Sequence, residues 1–160
     1  MDEKKYQASV VMNTLCQTLD SMEWKFDKKD DYSIFTFANG KNTRIPLFIC
    51  VDEDKGVMYV HSPFGAETPD ERVGDIVFAT IEANISILGG VFDYDMARKR
   101  HIFKMVVPFM DCVLSEAACR YMILVVCQTV DRFSPKFKAL AEGKITLEDF
   151  RNFARSDEEE

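Results

Sequence analysis

The sequence lacks the features that mark nucleic-acid-binding, membrane and secreted proteins. Its 20 Lys and Arg residues are outnumbered by 27 Asp and Glu residues, for a net charge of −7, so no basic excess is available to a phosphate backbone. No apolar run approaches the ~20 residues that cross a bilayer, and the charged opening at residues 1–5 does not resemble a signal peptide. We therefore expect a cytoplasmic protein with neither a nucleic-acid nor a membrane partner.

Cysteine spacing indicates neither a disulfide framework nor a metal site. The five cysteines are an odd number, and no two have the Cys-x-x-Cys spacing of zinc and redox motifs. Most of them fall in predicted helices or strands, where a reduced and buried thiol is the usual case. We predict unpaired thiols and no bound metal for Cys16, Cys50, Cys112, Cys119 and Cys127.

Motifs for catalysis and cofactor binding are also missing. No Gly-x-Ser-x-Gly nucleophile motif occurs, and the acidic turn at 52–56 lacks the ligand spacing of a calcium loop. Gly89 and Gly90 follow a predicted helix and precede a strand, whereas phosphate-binding loops have the reverse order. We predict that the protein is not an enzyme and holds no cofactor.

The apolar periodicity predicts an α+β domain. Helical spacing alternates with runs of period two, and short turns join these runs, which is typical of antiparallel strands. The predicted order is α-β-β-β-β-α-β-β-α, a two-layer fold with an antiparallel sheet of five to six strands and helices packed on it. A chain of 160 residues is expected to form a single domain, 1–160. The expected elements are helices at 6–22, 69–89 and 116–133, strands at 24–27, 32–38, 44–51, 57–61, 91–95 and 101–107, a short helix at 144–155 and an acidic tail at 156–160.

Local signals predict where several elements begin and end. Thr68 and Glu71 have the spacing of a capping box at the start of the middle helix. Ser115 is expected to cap the helix that follows the last strand, and Pro135 is expected to break that helix. Pro63 is expected to end the fourth strand.

The stretch 84–107 predicts a hairpin between the last two strands. Its alternation places aromatic and sulfur-containing side chains on one face and charged side chains on the other. We expect the turn to span 96–100. The expected cross-strand pairs are Phe92–Met105, Asp93–Lys104, Tyr94–Phe103 and Met96–His101.

This element order resembles that of the YbjN family, whose members are labelled candidate bacterial sensory transduction regulators. The resemblance includes Asn84, a glycine, Phe92 and Asp95 leading into a hairpin after the middle helix. It covers roughly residues 6–140 and implies a fold similar to that of type III secretion chaperones, which are small, acidic, cytosolic dimers. It further implies a protein-binding module without a cofactor, and it supplies no catalytic residues.

The turn of the hairpin departs from the family pattern. Family members often have an Asp-Gly turn there, whereas this chain has the longer, basic sequence Ala-Arg-Lys-Arg at 97–100. A basic turn on an acidic protein can contact an acidic segment of a partner. We therefore predict partner binding at Arg98, Lys99 and Arg100.

The helix at 116–133 carries more apolar surface than one subunit is expected to bury. Within it, 121–127 is apolar on every side, while packing on a sheet covers only one stripe of a helix. Either the C-terminal segments or a second subunit must cover the rest. We predict a homodimer interface at Tyr121, Leu124 and Val125, and a non-enzymatic dimer that binds a partner polypeptide of unknown identity.

Two other functions are compatible with the sequence. An enzyme or small-molecule-binding domain would need a pocket between the sheet and the helices, using Tyr94, His101 or Asp95. A dedicated secretion chaperone for one effector would have the same fold and differ in its partner. An exposed strand edge could also accept a strand from a partner.

Overall fold

The computed structural model of the chain describes residues 3–156. Most of the predicted acidic tail, 156–160, lies outside these described residues, as do residues 1 and 2. Ten helices and strands occur in the described part of the chain, in the predicted order. They are α1 (Glu3–Ser21), β1 (Phe26–Asp30), β2 (Ser33–Asn39), β3 (Arg44–Asp52), β4 (Val57–Phe64), α2 (Val73–Ile85), β5 (Val91–Asp95), β6 (Arg100–Pro108), α3 (Glu116–Ala141) and α4 (Leu147–Arg155).

The strands form one antiparallel sheet with the spatial order β1-β2-β3-β4-β6-β5. Helices α1, α2 and α3 contact the strands, and α4 packs on α2 and α3. On β3, the buried residues are Ile45, Leu47, Ile49 and Val51, as the alternation predicted, whereas Phe48 between them is exposed. The helices therefore cover one face of the sheet, and the predicted two-layer α+β fold is confirmed.

Two prolines lie at positions where their strand, β3 or β4, has a paired neighbour on only one side. These strands pair with each other over 48–52 and 57–61. Pro46 lies opposite β2 alone and Pro63 opposite β6 alone, so neither interrupts a ladder between two neighbours. The prediction that Pro63 ends β4 is wrong for this reason, since the strand continues to Phe64.

Strand β1 forms one outer edge of the sheet. The strand predicted at 24–27 ends too early, because Lys28, Lys29 and Asp30 also belong to β1. Its pairing with β2 continues past an irregularity between Lys28 and Asp30. Apart from Phe26, every residue of β1 is charged.

The start of α2 differs from the predicted capping box. The Thr68 side chain is buried, and its backbone N–H donates to the Lys99 carbonyl at 2.9 Å. Because Thr68 is held against the β5–β6 turn, a single 3-10 turn, Asp70–Arg72, leads into α2 without a side-chain cap. The helix also ends at Ile85, four residues before the predicted end at residue 89.

Helix α3 runs without interruption through Pro135, where a break was predicted. Proline has no N–H to donate to the carbonyl of Asp131, four residues earlier. Asn42 Nδ2 in the β2–β3 loop donates to that carbonyl at 3.2 Å instead. The freed acceptor is thus satisfied, and the helix can continue. At the other end, Ser115 caps α3 as predicted, since its Oγ accepts from the Ala118 N–H at 3.2 Å.

The Asp131 carboxylate holds the β2–β3 loop against α3. It accepts hydrogen bonds from the backbone N–H groups of Lys41, Asn42 and Thr43 at 3.0, 2.8 and 3.0 Å. Gly40 leaves room for it, because a Cβ there would lie 2.1 Å from Oδ1. Burial alone would raise the pKa of Asp131, but these hydrogen bonds outweigh burial and lower it.

We expect Asp131→Ala to lower the free energy of unfolding by about 2–3 kcal/mol, because three backbone N–H groups lose a charged acceptor. Asp131→Asn should lose less, since the amide keeps one oxygen. Urea unfolding at pH 7 measures both changes. Asp27→Ala, at an exposed position of β1, is the matched control and should change stability by less than about 0.5 kcal/mol. An Asp131→Ala variant as stable as this control would contradict the prediction.

Candidate functional site

The β5–β6 hairpin has the predicted faces but not the predicted register. Tyr94 pairs with His101, whereas Phe103, two residues further along β6, was expected. A shift of two residues keeps every side chain on its predicted face. Asp93 and Lys104 are therefore on the same face and still form an ion pair, although they are diagonal rather than opposite.

Asn84 ties the end of α2 to the first residues of β5. Its Nδ2 donates to the Phe92 carbonyl at 2.9 Å, and its Oδ1 accepts from the Phe92 N–H at 2.7 Å. Gly90 allows this close approach with a φ of +84°, where a Cβ would lie 2.5 Å from the Phe103 ring. These contacts explain why an asparagine, a glycine and a phenylalanine occur together before the hairpin.

Asp95 and Lys99 determine the register through the shape of the turn. The Asp95 carboxylate accepts from the Arg98 guanidinium at 2.8 Å and from the backbone N–H groups of Ala97 and Arg98 at 3.0 Å each. These bonds, led by the one from Arg98, lower the pKa of Asp95. Lys99 adopts a φ of +50°, so the turn closes early and Arg100 already pairs with Asp95.

Two residues of the predicted basic contact have acidic partners within the chain. Arg98 pairs with Asp95. Lys99 is bonded to Asp70, and its Nζ lies 3.9 Å from Glu67. Arg98 and Arg100 are exposed, whereas Lys99 is partly buried. Partner binding at Arg98, Lys99 and Arg100 stays a prediction, and Lys99 has a structural role besides.

His101 lies at the centre of a cluster of aromatic rings. It is 5% exposed, and its ring centroid lies 3.9 Å from that of Phe137 and 5.2 Å from those of Phe64 and Tyr94. Burial lowers the pKa of His101 to about 3, so the imidazole is neutral at pH 7.

Hydrogen bonding assigns the tautomer of this neutral imidazole. The Thr80 hydroxyl donates its single proton to the Ile76 carbonyl at 2.8 Å, so towards His101 it can only accept. His101 Nε2 lies 3.4 Å from the Thr80 Oγ1 and must therefore carry the ring proton. Nδ1 is then a hydrogen-bond acceptor, and no protein group among residues 3–156 donates to it.

A cavity of about 360 Å³ lies beside His101, between the β4–β6 end of the sheet and the helices. Phe64, Ile76 and Phe137 form its apolar wall. Of the three residues predicted for such a pocket, His101 lines it. Tyr94 packs against the His101 ring and Asp95 is engaged in the turn, and neither lines the cavity.

Helix α3 leaves part of its apolar surface uncovered. Met122, Ile123 and Val126 are fully buried, but Tyr121 is 61% and Leu124 39% exposed. Helix α4 does not cover these two, because it packs on a later part of α3. The sheet therefore buries one stripe of this helix, and the opposite stripe faces solvent.

The uncovered surface of α3 adjoins a second one on α2, which sequence reasoning missed. Val125 is half-buried, and a Cβ on Gly89 would lie 3.2 Å from its Cγ1, so the α2–β5 loop touches α3 here. Four apolar side chains of α2 and this loop are each more than half exposed. With those of α3 they form the helical apolar surface: Phe78, Ile81, Ile85, Leu88, Tyr121 and Leu124.

A signal for the α2 half was present in the sequence. Residues 73–85 read Val-Gly-Asp-Ile-Val-Phe-Ala-Thr-Ile-Glu-Ala-Asn-Ile, with apolar residues on all sides of the helix. A helix of that kind needs a covering on more than one face. The prediction applied this rule to α3 alone.

Metal-ligating groups do not converge among the described residues. Across residues 3–156, no group of three or more His, Cys, Asp and Glu side chains could hold a metal ion. The five cysteines are unpaired, and burial raises the pKa of Cys127 to about 12. No helix in this part of the chain is long and apolar enough to span a bilayer.

The fold is similar to that of a protein of known structure. The crystal structure of YbjN, a candidate transcription regulator from E. coli, matches this chain with a TM-score of 0.58 at 13% sequence identity. The match covers 83% of this chain and 90% of YbjN. No protein-family model matches the sequence, and no curated protein does. The expected resemblance is confirmed for the fold, which is YbjN-like.

We expect the stability of the fold to decrease on acidification because of His101. Its pKa is about 3 in the folded chain, against an ordinary value of 6.5. The unfolded chain therefore takes up the proton first, and stability that is present above pH 6.5 is lost as the pH falls towards 3. Between pH 7 and pH 5 this group should remove about 2 kcal/mol from the free energy of unfolding.

Urea unfolding at both pH values tests this expectation. His101→Phe should abolish most of the difference, because phenylalanine cannot take up a proton. His61→Gln is the comparison: His61 lies on the open face of the sheet, and burial lowers its pKa as well, so this variant should remove only a small part of the difference. An unchanged pH dependence in His101→Phe would show that other groups are responsible.

Proposed function

We propose that this chain is a non-enzymatic protein-binding module that forms a homodimer through the helical apolar surface and binds a partner polypeptide as a dimer. The single observation that carries the proposal is the exposure of Phe78, Ile81, Ile85, Leu88, Tyr121 and Leu124 on neighbouring helices. The candidate regulator YbjN has a similar fold, which supports a regulatory role for such a dimer.

The size of this surface supports association. An aromatic or large aliphatic side chain that is half exposed contributes on the order of 100 Å² of apolar area. Six of them amount to on the order of 600 Å², while monomers rarely expose patches beyond a few hundred Å². A typical interface buries about 800 Å² per partner, so the helical apolar surface could form most of one.

Charge does not oppose a second copy at this surface. The chain carries a net charge of −7, so most contacts between two copies would bring like charges together. The helical apolar surface contains no charged side chain. It can meet the same surface of another copy across a two-fold axis without that repulsion.

We expect Leu124→Glu to weaken the dimer at least tenfold, because it buries a carboxylate in an apolar interface. Light scattering after size exclusion, at micromolar concentrations, should give twice the 18.4 kDa chain mass for the wild type and a concentration-dependent lower mass for the variant. Met96→Glu, at a comparably exposed position in the β5–β6 turn, is the matched control and should stay dimeric. A wild type of 18.4 kDa throughout would overturn the proposal.

The β5–β6 turn is the proposed contact for the acidic segment of a partner. We expect Arg98→Ala with Arg100→Ala to reduce capture of that partner from native cells, as judged by quantitative mass spectrometry. Lys99 is kept because it bonds to Asp70 within the chain. Lys136→Ala with Lys138→Ala, which removes two positive charges from α3, is the control. Equal capture by both double variants would exclude the turn as the contact.

A further inference from the structure

We propose that the cavity beside His101 binds a small, neutral aromatic molecule that carries a hydrogen-bond donor. The cavity lies on the inner side of the sheet and is separate from the helical apolar surface, so this site does not depend on the proposed dimer. Its volume of about 360 Å³ is at the lower end of the range for small-molecule pockets. That size suits a ligand of one or two rings.

Three buried polar side chains line the cavity without a protein partner for their polar atoms. Thr68 is 4%, His101 5% and Ser134 9% exposed. No group among residues 3–156 makes a hydrogen bond to the Thr68 hydroxyl, the Ser134 hydroxyl or the His101 Nδ1. None of the three is among the fully enclosed unpartnered polar atoms of the described residues, which are Glu53 Oε2, Ser62 Oγ and Tyr94 OH. They are therefore open to the cavity and can form hydrogen bonds with a ligand there.

The tautomer of His101 determines which polar group this is. With the ring proton on Nε2 directed at Thr80, Nδ1 can only accept. A ligand at this position must therefore offer an N–H or an O–H. The hydroxyls of Thr68 and Ser134 can donate as well as accept, so they can satisfy the lone pairs of a hydroxyl or carbonyl on the same ligand.

The walls of the cavity select for an uncharged ring. Phe64 and Phe137 face the ligand volume together with Ile76, and aromatic walls favour stacked or edge-on packing with another ring. The charged residues Glu67, Lys138 and Glu142 line it too, but all three are exposed and so belong to its rim. A charge held deep in the cavity would have no partner, which is costly.

Phenol and benzene are the probes that test this site on the full chain. They have nearly the same shape, and only phenol carries a donor. We expect phenol to bind saturably, with a Kd on the order of 0.1–1 mM, and at least tenfold more tightly than benzene. NMR titration gives both constants, and the ¹⁵N shift of His101 Nδ1 should move with phenol alone.

Two variants assign the binding to the cavity. His101→Phe keeps an aromatic ring but removes the imidazole acceptor, so phenol should lose most of its advantage over benzene. Ala141→Phe places a ring in the cavity wall and should weaken both probes at least tenfold. His61→Gln, outside the cavity, is the control and should bind both probes like the wild type.

The comparison of phenol with benzene on the wild-type chain does not depend on the variants. Circular dichroism shows whether each variant is folded. No saturable phenol shift, equal affinities for phenol and benzene, or an affinity for phenol that survives Ala141→Phe in a folded chain would each overturn the proposal. A tenfold preference for phenol with a shift at Nδ1 would support it.

Discussion

The ring of Phe137 is a central contact between the sheet and the helices. It lies within 3.9 to 6.0 Å of rings from β4, β5, β6 and α4, namely Phe64, Phe92, His101 and Phe150. Phe137 follows Pro135 in α3, so this packing exists only if the helix continues past the proline. The hydrogen bond from Asn42 to the Asp131 carbonyl makes that possible. The loop between β2 and β3 thus supports the packing of the core through this hydrogen bond.

A histidine at the centre of this packing has consequences that phenylalanine would not have. A phenylalanine at 101 would contribute similar ring contacts and would not titrate. His101 keeps its ring neutral at a pKa of about 3, which costs the fold stability in acid but almost nothing at neutral pH. In exchange it places an acceptor nitrogen beside an apolar cavity. The position therefore combines a packing role with a polar one.

Sequence patterns correctly predicted the features that depend on local periodicity. They failed where a contact between residues distant in sequence determines the structure. The alternation on β3 and the cap at Ser115 depend on neighbouring residues, and the structure agrees with them. The break expected at Pro135 did not occur, because an asparagine 93 positions away in sequence supplies the missing hydrogen bond.

In the candidate site, too, the features set by local patterns were predicted and those set by long-range contacts were not. The faces of β5 and β6 followed from period two, so Asp93 and Lys104 were correctly placed on one face. The pairing of His101 with Tyr94 could not be predicted, since it depends on the positive φ of Lys99. The cavity could not be predicted either, because its walls come from four elements far apart in the chain.

The charges on β1 bear on how copies of this chain can meet. The strand is short, its residues from Asp27 to Asp30 all carry charge, and an irregularity interrupts its pairing. At the opposite margin, β5 presents Asp93 and Asp95. Such margins resist the end-on joining of sheets that leads to fibrous aggregates. Crowded copies of this protein are therefore expected to remain dispersed rather than polymerise strand by strand.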